Sequence, residues 1–504
     1  MLLIHPPIAK ICEPPGGLPR LAGALRGHGF DCTVLDGSLE AQLFLLDQPV
    51  VAHDTWSRRA IKNRTRNLEA FSSPNLYRNR DRYRRCVADL NRVLDLNGRL
   101  ADISLSLSNY TDRRLSPLRS SDLLQAAHEH EKNLLFPWFS KRLADLIAEQ
   151  RPTTVGISLN YLSQALTSFS LLGFLKAHYP GLTLILGGGL VTSWMRNPGW
   201  RNRFSGLVDH LISGPGEAPL LRLLGFKGTI HHTTPDYAPL TDLPYLAPGL
   251  ILPYAASSGC YWNRCSFCPE KAEDNPYHAL AVDRVMEDLV QLTGKHQPTL
   301  IHFLDNAIPV PLLDRLASRK KIAHWYGFVR FSQRLADPAY CRSLQQSGCL
   351  MLKLGLESGD QQVLDQMDKG IQLPLVAKIL SNLKEVGIST YIYLLFGTPT
   401  ESIHEARKTM NFVNRHHEAM TYLNLAVFNL PLASAETDRV QIQPFSEGDL
   451  SLYCDFVHPL GFHRRAVRHF LDREFRREAA ISRIIRRDPP FFTSNHAPLF
   501  HLEM

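Results

Sequence analysis

The chain has 504 residues, 44% hydrophobic and 21% charged, with a formal net charge of +8 from 56 Lys and Arg against 48 Asp and Glu. That length exceeds what one hydrophobic core usually fills, so two or three domains are expected, and the composition excludes disorder on the scale of a domain. The positive charge hints at an anionic partner, but bulk charge bears on solubility and non-specific binding, not on a fold or a reaction.

Leu2–Ile4 followed by Pro6-Pro7 reads as a short buried strand, and Pro14-Pro15-Gly16-Gly17-Leu18 opens a helix to Gly27. Asp31–Leu35 is a second strand, giving a strand–helix–strand unit of the kind that builds parallel sheets. The pattern then breaks into an Arg-rich insertion near 41–133. Arg58, Arg59, Arg64, Arg66, Arg78, Arg80, Arg82, Arg84 and Arg85 crowd together there, without a nucleic-acid-binding motif. A solvated helical insertion explains such a run better than a nucleic-acid surface. Alternation resumes with a helix around Leu134–Glu149, a strand at Thr154–Leu159, a helix around Ser168–His178, and strands at Leu182–Leu186 and Val208–Ser213. The last two strands end in Gly187-Gly188-Gly189 and Gly214-Pro215-Gly216-Glu217. Ligands bind beyond the C-terminal strand ends of such sheets, and glycine there allows close backbone approach.

Residues 229–249, marked by Pro235, Pro239, Pro244 and Pro248, read as an extended linker. Beyond it, strands are expected at Leu250–Ala255, Leu300–Leu304, His324–Val329, Met351–Leu356, Thr390–Phe396 and Leu423–Phe428. Helices such as Ala281–Thr293 and Leu373–Val386 lie between them. Six β/α units over 250–430 suit a partial (β/α)6 barrel with its active site at the C-terminal strand ends. Residues 431–504, rich in Arg, Phe and His, are expected to be a mostly helical cap or specificity region. The N-terminus lacks a secretory pattern and no apolar run is long enough to span a bilayer, so a cytoplasmic protein is expected.

Nine cysteines are too few for a disulfide framework, and Cys12, Cys32, Cys86, Cys341, Cys349 and Cys454 are scattered, as small buried hydrophobes are. Cys260, Cys265 and Cys268 instead share one loop, Ser258-Gly259-Cys260-Tyr261-Trp262-Asn263-Arg264-Cys265-Ser266-Phe267-Cys268, directly after the first strand of the second alternation. Three soft ligands on one loop can hold three corners of a 4Fe–4S cube and leave the fourth iron open. A zinc knuckle completed by His278 is the alternative. It fits less well, because zinc sites usually pair two close ligand couples and no second couple is present.

The loop resembles the cluster-binding motif of the radical S-adenosylmethionine enzymes. Its first gap is four residues where three are usual, and Gly-Cys-Tyr-Trp-x-x-Cys-x-Phe-Cys is similar to a variant found in cobalamin-binding members. Pro6-Pro7, Gly16, Gly17, Leu18, Ser158, Asn160, Tyr161, Gln164, Gly187, Gly188, Gly189, Gly214, Gly216 and Glu217 resemble the N-terminal, Rossmann-like cobalamin-binding domain of that subgroup, here 1–228. By the same resemblance, Phe267, Asp305, Asn306, Arg330, Glu357, Ser358, Gly397 and Pro399 are expected around S-adenosylmethionine. Asp305 and Asn306 fall at the amino group, Arg330 at the carboxylate, Glu357 and Ser358 at the ribose, and Gly397 and Pro399 beside adenine.

The resemblance implies an enzyme that uses a 4Fe–4S cluster, S-adenosylmethionine and cobalamin to methylate an unactivated carbon, or phosphorus, of a small-molecule or peptide substrate. An electron donor such as flavodoxin or ferredoxin is implied too. Three alternatives stand beside it: a cobalamin-dependent radical rearrangement or cyclisation enzyme, a tRNA methylthiotransferase-like enzyme, and a non-enzymatic cobalamin sensor. The second fits less well, because Cys12, Cys32 and Cys86 do not form a second cysteine triad.

Overall fold

The structure is a computed structural model that describes residues 1–99, 101–443 and 447–488. The chain divides into two compact units: Met1–Leu250 with the returning segment 446–452, and Ile251–Phe445 with Tyr453 onward. Among the described residues no helix is long and apolar enough to cross a membrane.

The first unit is built on a five-stranded parallel sheet. Its strands lie side by side in the order Thr33–Asp36, Leu2–His5, Thr154–Ser158, Thr183–Gly187 and His210–Leu211. Numbered along the chain this is a 2-1-3-4-5 order. The direction of winding therefore reverses between Leu2–His5 and Thr154–Ser158, the position at which doubly wound sheets bind ligands beyond the C-terminal strand ends. The central strands Leu2–His5 and Thr154–Ser158 are short and almost wholly buried, as strands covered on both faces are. Helices Gly17–Gly27 and Glu217–Leu223 cover one side with Leu18, Ala22, Leu25, Leu220 and Leu221 against Leu3 and Ile185.

The helix Leu162–His178 starts six residues earlier than expected. Its N-terminal half is polar by composition, yet Gln164, Thr167, Ser168 and Ser170 are all buried. Their side chains bond backbone carbonyls: Thr167 that of Pro7, Ser168 that of Gln164 at 2.7 Å, and Ser170 that of Ala126 at 3.1 Å. A helix wrapped on all sides must satisfy its polar groups in this way. The wrapping comes from the insertion, whose helix Ser120–His128 approaches so closely that a Cβ on Gly173 would meet the Ala127 carbonyl oxygen at 1.9 Å.

The insertion is helical, with Thr55–Ala70 packed on Arg80–Arg99, and carries a hairpin of Ile103–Ser106 and Asn109–Asp112. Several of its arginines pair locally, Arg59 with Asp89 at 2.8 Å, Arg64 with Asp47 at 3.0 Å and Arg92 with Asp54 at 2.9 Å. The expected linker at 229–249 does not run free. Tyr237, Leu240, Tyr245 and Leu246 are buried, Leu246 N–H donates to Ile11 C=O at 2.8 Å, and the Tyr245 hydroxyl donates to Asp36 at 2.7 Å.

The second unit holds six parallel strands in consecutive order: Ile251–Tyr254, Leu300–Phe303, Trp325–Val329, Cys349–Glu357, Ser389–Phe396 and Tyr422–Val427. Helices Val282–His296, Val310–Ala317, Pro338–Gln346, Leu373–Glu385 and Ile403–His416 connect them. Over its described residues the C-terminal region is less helical than expected. Leu430–Pro431, Tyr453–Val457 and Gln441–Gln443 form a small antiparallel sheet ahead of helices Arg464–Arg473 and Ala479–Ile485. Phe470 and Phe475 pack on Phe396, with ring centroids 6.0 and 5.4 Å away, so this region covers the end of the fifth strand.

Candidate active site

The cysteine loop leaves the sheet at Tyr254. Ser257–Ser258 pairs antiparallel with His278–Ala279, which closes the loop at its base. Gly259 has φ of +70°, and a Cβ there would lie 2.5 Å from the Pro276 carbonyl oxygen, so the residue ahead of the first cysteine has to be glycine. Cys268 N–H donates to Cys265 C=O at 3.2 Å, which makes a tight turn between the last two thiols.

Cys265 is buried, while Cys260 and Cys268 are half-buried. Burial pushes the Cys265 thiol up, against the pull of Lys369 and Arg330 beside it, and takes the Cys268 thiol up to about 11. Thiols of this kind ionise when an electrophilic partner arrives, and two cations at Cys265 favour an anionic thiolate cluster there. Among the described residues, the group of three ligands close enough to share one ion is His130, Glu131 and His178; the thiols of the loop are not so gathered. A cube spreads its thiolates wider than a single zinc does, so the residues fit a cluster.

Four side chains hold the loop in place. Asp305, two residues past the second strand, is 1% exposed and accepts from the Ala256 N–H at 3.1 Å and the Ser257 hydroxyl at 2.5 Å. Burial raises its carboxyl above the usual range, against the pull of those bonds. Asn306 donates to the Gly259 carbonyl at 3.3 Å. On the other side, Trp262 donates from Nε1 to Asp368 C=O at 3.0 Å, and the Arg330 guanidinium lies 4.1 Å over its ring while donating to Lys369 C=O at 2.5 Å. Lys369 in turn pairs with Glu357 at 2.8 Å, both side chains being nearly buried.

Asp305, Ser358 and Gly397 each have a protein partner. Asp305 braces the cysteine loop. Ser358 is fully buried, 3.2 Å from the Thr409 hydroxyl, and accepts from Asp360 N–H at 3.1 Å. Gly397 donates its amide to Glu401 at 2.6 Å, and its φ of +82° suits glycine. Phe267 and Pro399 do meet across a cavity of about 510 Å³, which Ser266, Met367, Thr398 and Phe428 also line. That size suits a nucleoside-bearing ligand. Sequence reasoning missed Lys369 and Glu401, and gave Trp262 and Thr398 no role of their own. Burial takes the Glu401 carboxyl up to about 8, and its Oε1 and the Thr398 hydroxyl have no hydrogen-bond partner. The available signal was the Asp368-Lys369-Gly370 turn, with positive φ at Asp368 and Gly370.

Residues 254–413 match the family model of the radical SAM superfamily. This stretch is a radical SAM domain. It runs from the end of the first strand of the six-stranded sheet into the helix after the fifth, and contains all three loop cysteines. Two curated relatives match over 194 residues. An uncharacterized methyltransferase of Pyrococcus horikoshii is 25% identical, the match covering 36% of this chain and 40% of the relative; a bacteriochlorophyllide d C-12(1)-methyltransferase of Chlorobaculum tepidum is 24% identical, covering 36% and 41%. The chain thus spans well under half the length of either. Among solved structures, the radical S-adenosylmethionine methyltransferase TsrM from Kitasatospora setae, with cobalamin and a 4Fe–4S cluster bound, is similar in fold. Its TM-score is 0.50 at 15% identity, covering 85% of this chain and 75% of that one.

A second edge lies in the first unit, at the C-terminal strand ends. Gly188 has φ of +110°, and a Cβ there would meet the Leu159 carbonyl oxygen at 2.3 Å, so this glycine serves the fold itself. Gly189 is roomier, with Asn160 Oδ1 3.7 Å from a Cβ, and Gly17 has the Ser158 hydroxyl at the same distance. Around Gly214, φ +76°, nothing lies within 4 Å of a Cβ. Gln164 and Leu18 are buried: the Gln164 amide bonds Pro6 C=O at 2.7 Å and the Asn160 N–H at 3.0 Å, and Leu18 packs in the core. Gly187 and Gly216 have neighbours at 3.4 and 3.3 Å from a Cβ, Gly16 precedes the first helix, and Glu217 pairs with Arg20 at 2.5 Å. Tyr161 is 57% exposed at this edge.

Proposed function

We propose that the protein is a cobalamin-dependent radical S-adenosylmethionine methyltransferase acting on an unactivated carbon or phosphorus centre. The observation that carries the reading is one loop bearing three thiols, cations beside the buried one, and a nucleoside-sized cavity reached by Phe267 of the same loop. Cys260, Cys265 and Cys268 would hold the cluster. When bound, a cluster supplies one electron that cleaves S-adenosylmethionine to a 5′-deoxyadenosyl radical, and cobalamin supplies a methyl carrier.

The chain's own residues provide position and setting. Asp305 and Asn306 fix the start of the loop, Arg330 and Trp262 fix its middle, and Lys369 places a cation against Cys265. Phe267, Thr398 and Pro399 offer the cavity walls on which an adenine would rest, and walls of this kind exclude water from a reactive radical. In the first unit, Gly17, Gly189 and Gly214 leave the backbone open at a doubly wound sheet's C-terminal edge, and exposed Tyr161 offers an apolar face, a surface suited to a corrin ring. The boundaries 1–228, 250–430 and 431–504 would then be cobalamin domain, partial barrel and cap. The test is anaerobic protein reconstituted with iron, sulfide and cobalamin. Formation of 5′-deoxyadenosine that Cys265→Ala abolishes supports the reading, and retention of zinc without iron overturns it.

A further inference from the structure

We propose that the first unit carries a separate metal site, in which His130, Glu131 and His178 bind one divalent cation of the zinc class. The ligand atoms of these three side chains all lie within 4.8 Å of one another. They come from two elements: the 3-10 turn His130–Lys132 of the insertion, and the last residue of the helix Leu162–His178.

The tautomer of His130 is set for coordination. Its ring is 8% exposed, and Nδ1 lies 3.1 Å from the Ala127 carbonyl oxygen, an acceptor, so Nδ1 carries the proton and donates it there. The neutral ring then presents a lone pair at Nε2, the arrangement by which metal-ligating histidines are usually oriented. Nε2 is buried and has no hydrogen-bond partner. An unpaired buried acceptor is unusual in a folded protein and calls for an ion or a donor.

Ring geometry agrees. An ion about 2.0–2.1 Å from an imidazole nitrogen is about 3.2 Å from the ring centroid, so two rings on one ion have centroids no more than about 6.4 Å apart. The His130 and His178 centroids are 5.9 Å apart, with the rings at 89°. Phe174 packs against both, at 6.0 and 4.7 Å, and Phe136 against His130 at 6.0 Å, forming an apolar wall behind the nitrogens. Glu131 and His178 are exposed, which leaves a further coordination position for water. Two imidazoles and one carboxylate favour zinc or another late first-row divalent ion over magnesium or calcium, which prefer oxygen donors. The ion would tie the insertion to the helix it covers.

The test uses full-length, cluster-loaded protein, so that the loop thiols are already occupied. Titration with zinc chloride, followed calorimetrically, should show one site per chain that magnesium does not compete for, and zinc should raise the unfolding temperature. Because Glu131 and His178 are exposed, His178→Ala and Glu131→Gln should fold as the parent does, checked by circular dichroism. Each should weaken zinc by about a hundredfold or more and abolish the thermal shift, while iron content stays unchanged. No zinc binding by the parent, or binding that both variants leave intact, would overturn the assignment. Because iron content is read separately, failure of the zinc site is distinguishable from failure of the cluster.

Discussion

Removing Lys369 tests how the cysteine loop is held. Lys369 and Glu357 are 2.8 Å apart with side chains 10% and 12% exposed, so neither charge is well hydrated. Lys369→Met leaves the Glu357 carboxylate with its cation gone, and breaking a buried pair from one side costs about 3–5 kcal/mol. For a unit of this size each kcal/mol moves the midpoint by about 2–4 °C, so a fall of roughly 6–20 °C is expected. The double variant Glu357→Gln, Lys369→Met removes both charges and should recover most of that loss. Scanning calorimetry of the cluster-free protein, kept anaerobic, compares the parent with both variants. Cluster assembly separates the second role of Lys369: the double variant should refold well yet load less iron than the parent, since one of the two cations beside Cys265 is still missing. A double variant as unstable as the single, or one that loads iron as the parent does, would refute this account of the pair.

Three further outcomes follow from the site geometry. Cys260→Ala, Cys265→Ala and Cys268→Ala should each lose most of about four irons per chain, whereas Cys341→Ala and Cys454→Ala should keep them, as measured by iron and sulfide analysis. Glu401 is fully buried with its carboxyl raised to about 8, so the folded state holds a proton there that the unfolded chain gives up near the ordinary carboxylate range. Its contribution is present below that range and lost as pH rises toward 8, on the order of 3–5 kcal/mol, and Glu401→Gln should flatten the stability profile across that window in urea titrations. Gly188→Ala should destabilise the first unit because its Cβ meets the Leu159 backbone, while Gly189→Ala should fold normally and retain less cobalamin on gel filtration.

Much of the architecture was legible because its signals are local. The strands at Leu300–Phe303, Trp325–Val329, Cys349–Glu357 and Ser389–Phe396 are apolar runs stopped by polar or glycine residues, and the three cysteines declare themselves by spacing. What escaped depends on distant contacts. Gln441–Gln443 is an exposed polar strand that pairs only because Tyr453–Val457 returns beside it. Asp449 caps Ser120, 329 residues away, with bonds of 2.8 and 2.6 Å. Gly188 is held to glycine by the Leu159 backbone, a contact that no glycine run in the sequence announces. Asp305 stands two residues past a strand, and its carboxylate accepts from the backbone at the start of the cysteine loop, a partner no sequence spacing reveals.

The central claim is that both cofactors serve one chemistry, and the fate of the S-adenosylmethionine methyl group tests it most directly. Anaerobic enzyme carrying the cluster and reduced cobalamin is mixed with S-adenosylmethionine bearing an isotopically labelled methyl group, and the bound cobalamin is analysed by mass spectrometry. The account predicts label on cobalamin, with 5′-deoxyadenosine formed under reducing conditions by the parent and not by Cys265→Ala. Protein that binds no cobalamin, or that forms 5′-deoxyadenosine while the label never reaches cobalamin, would contradict it.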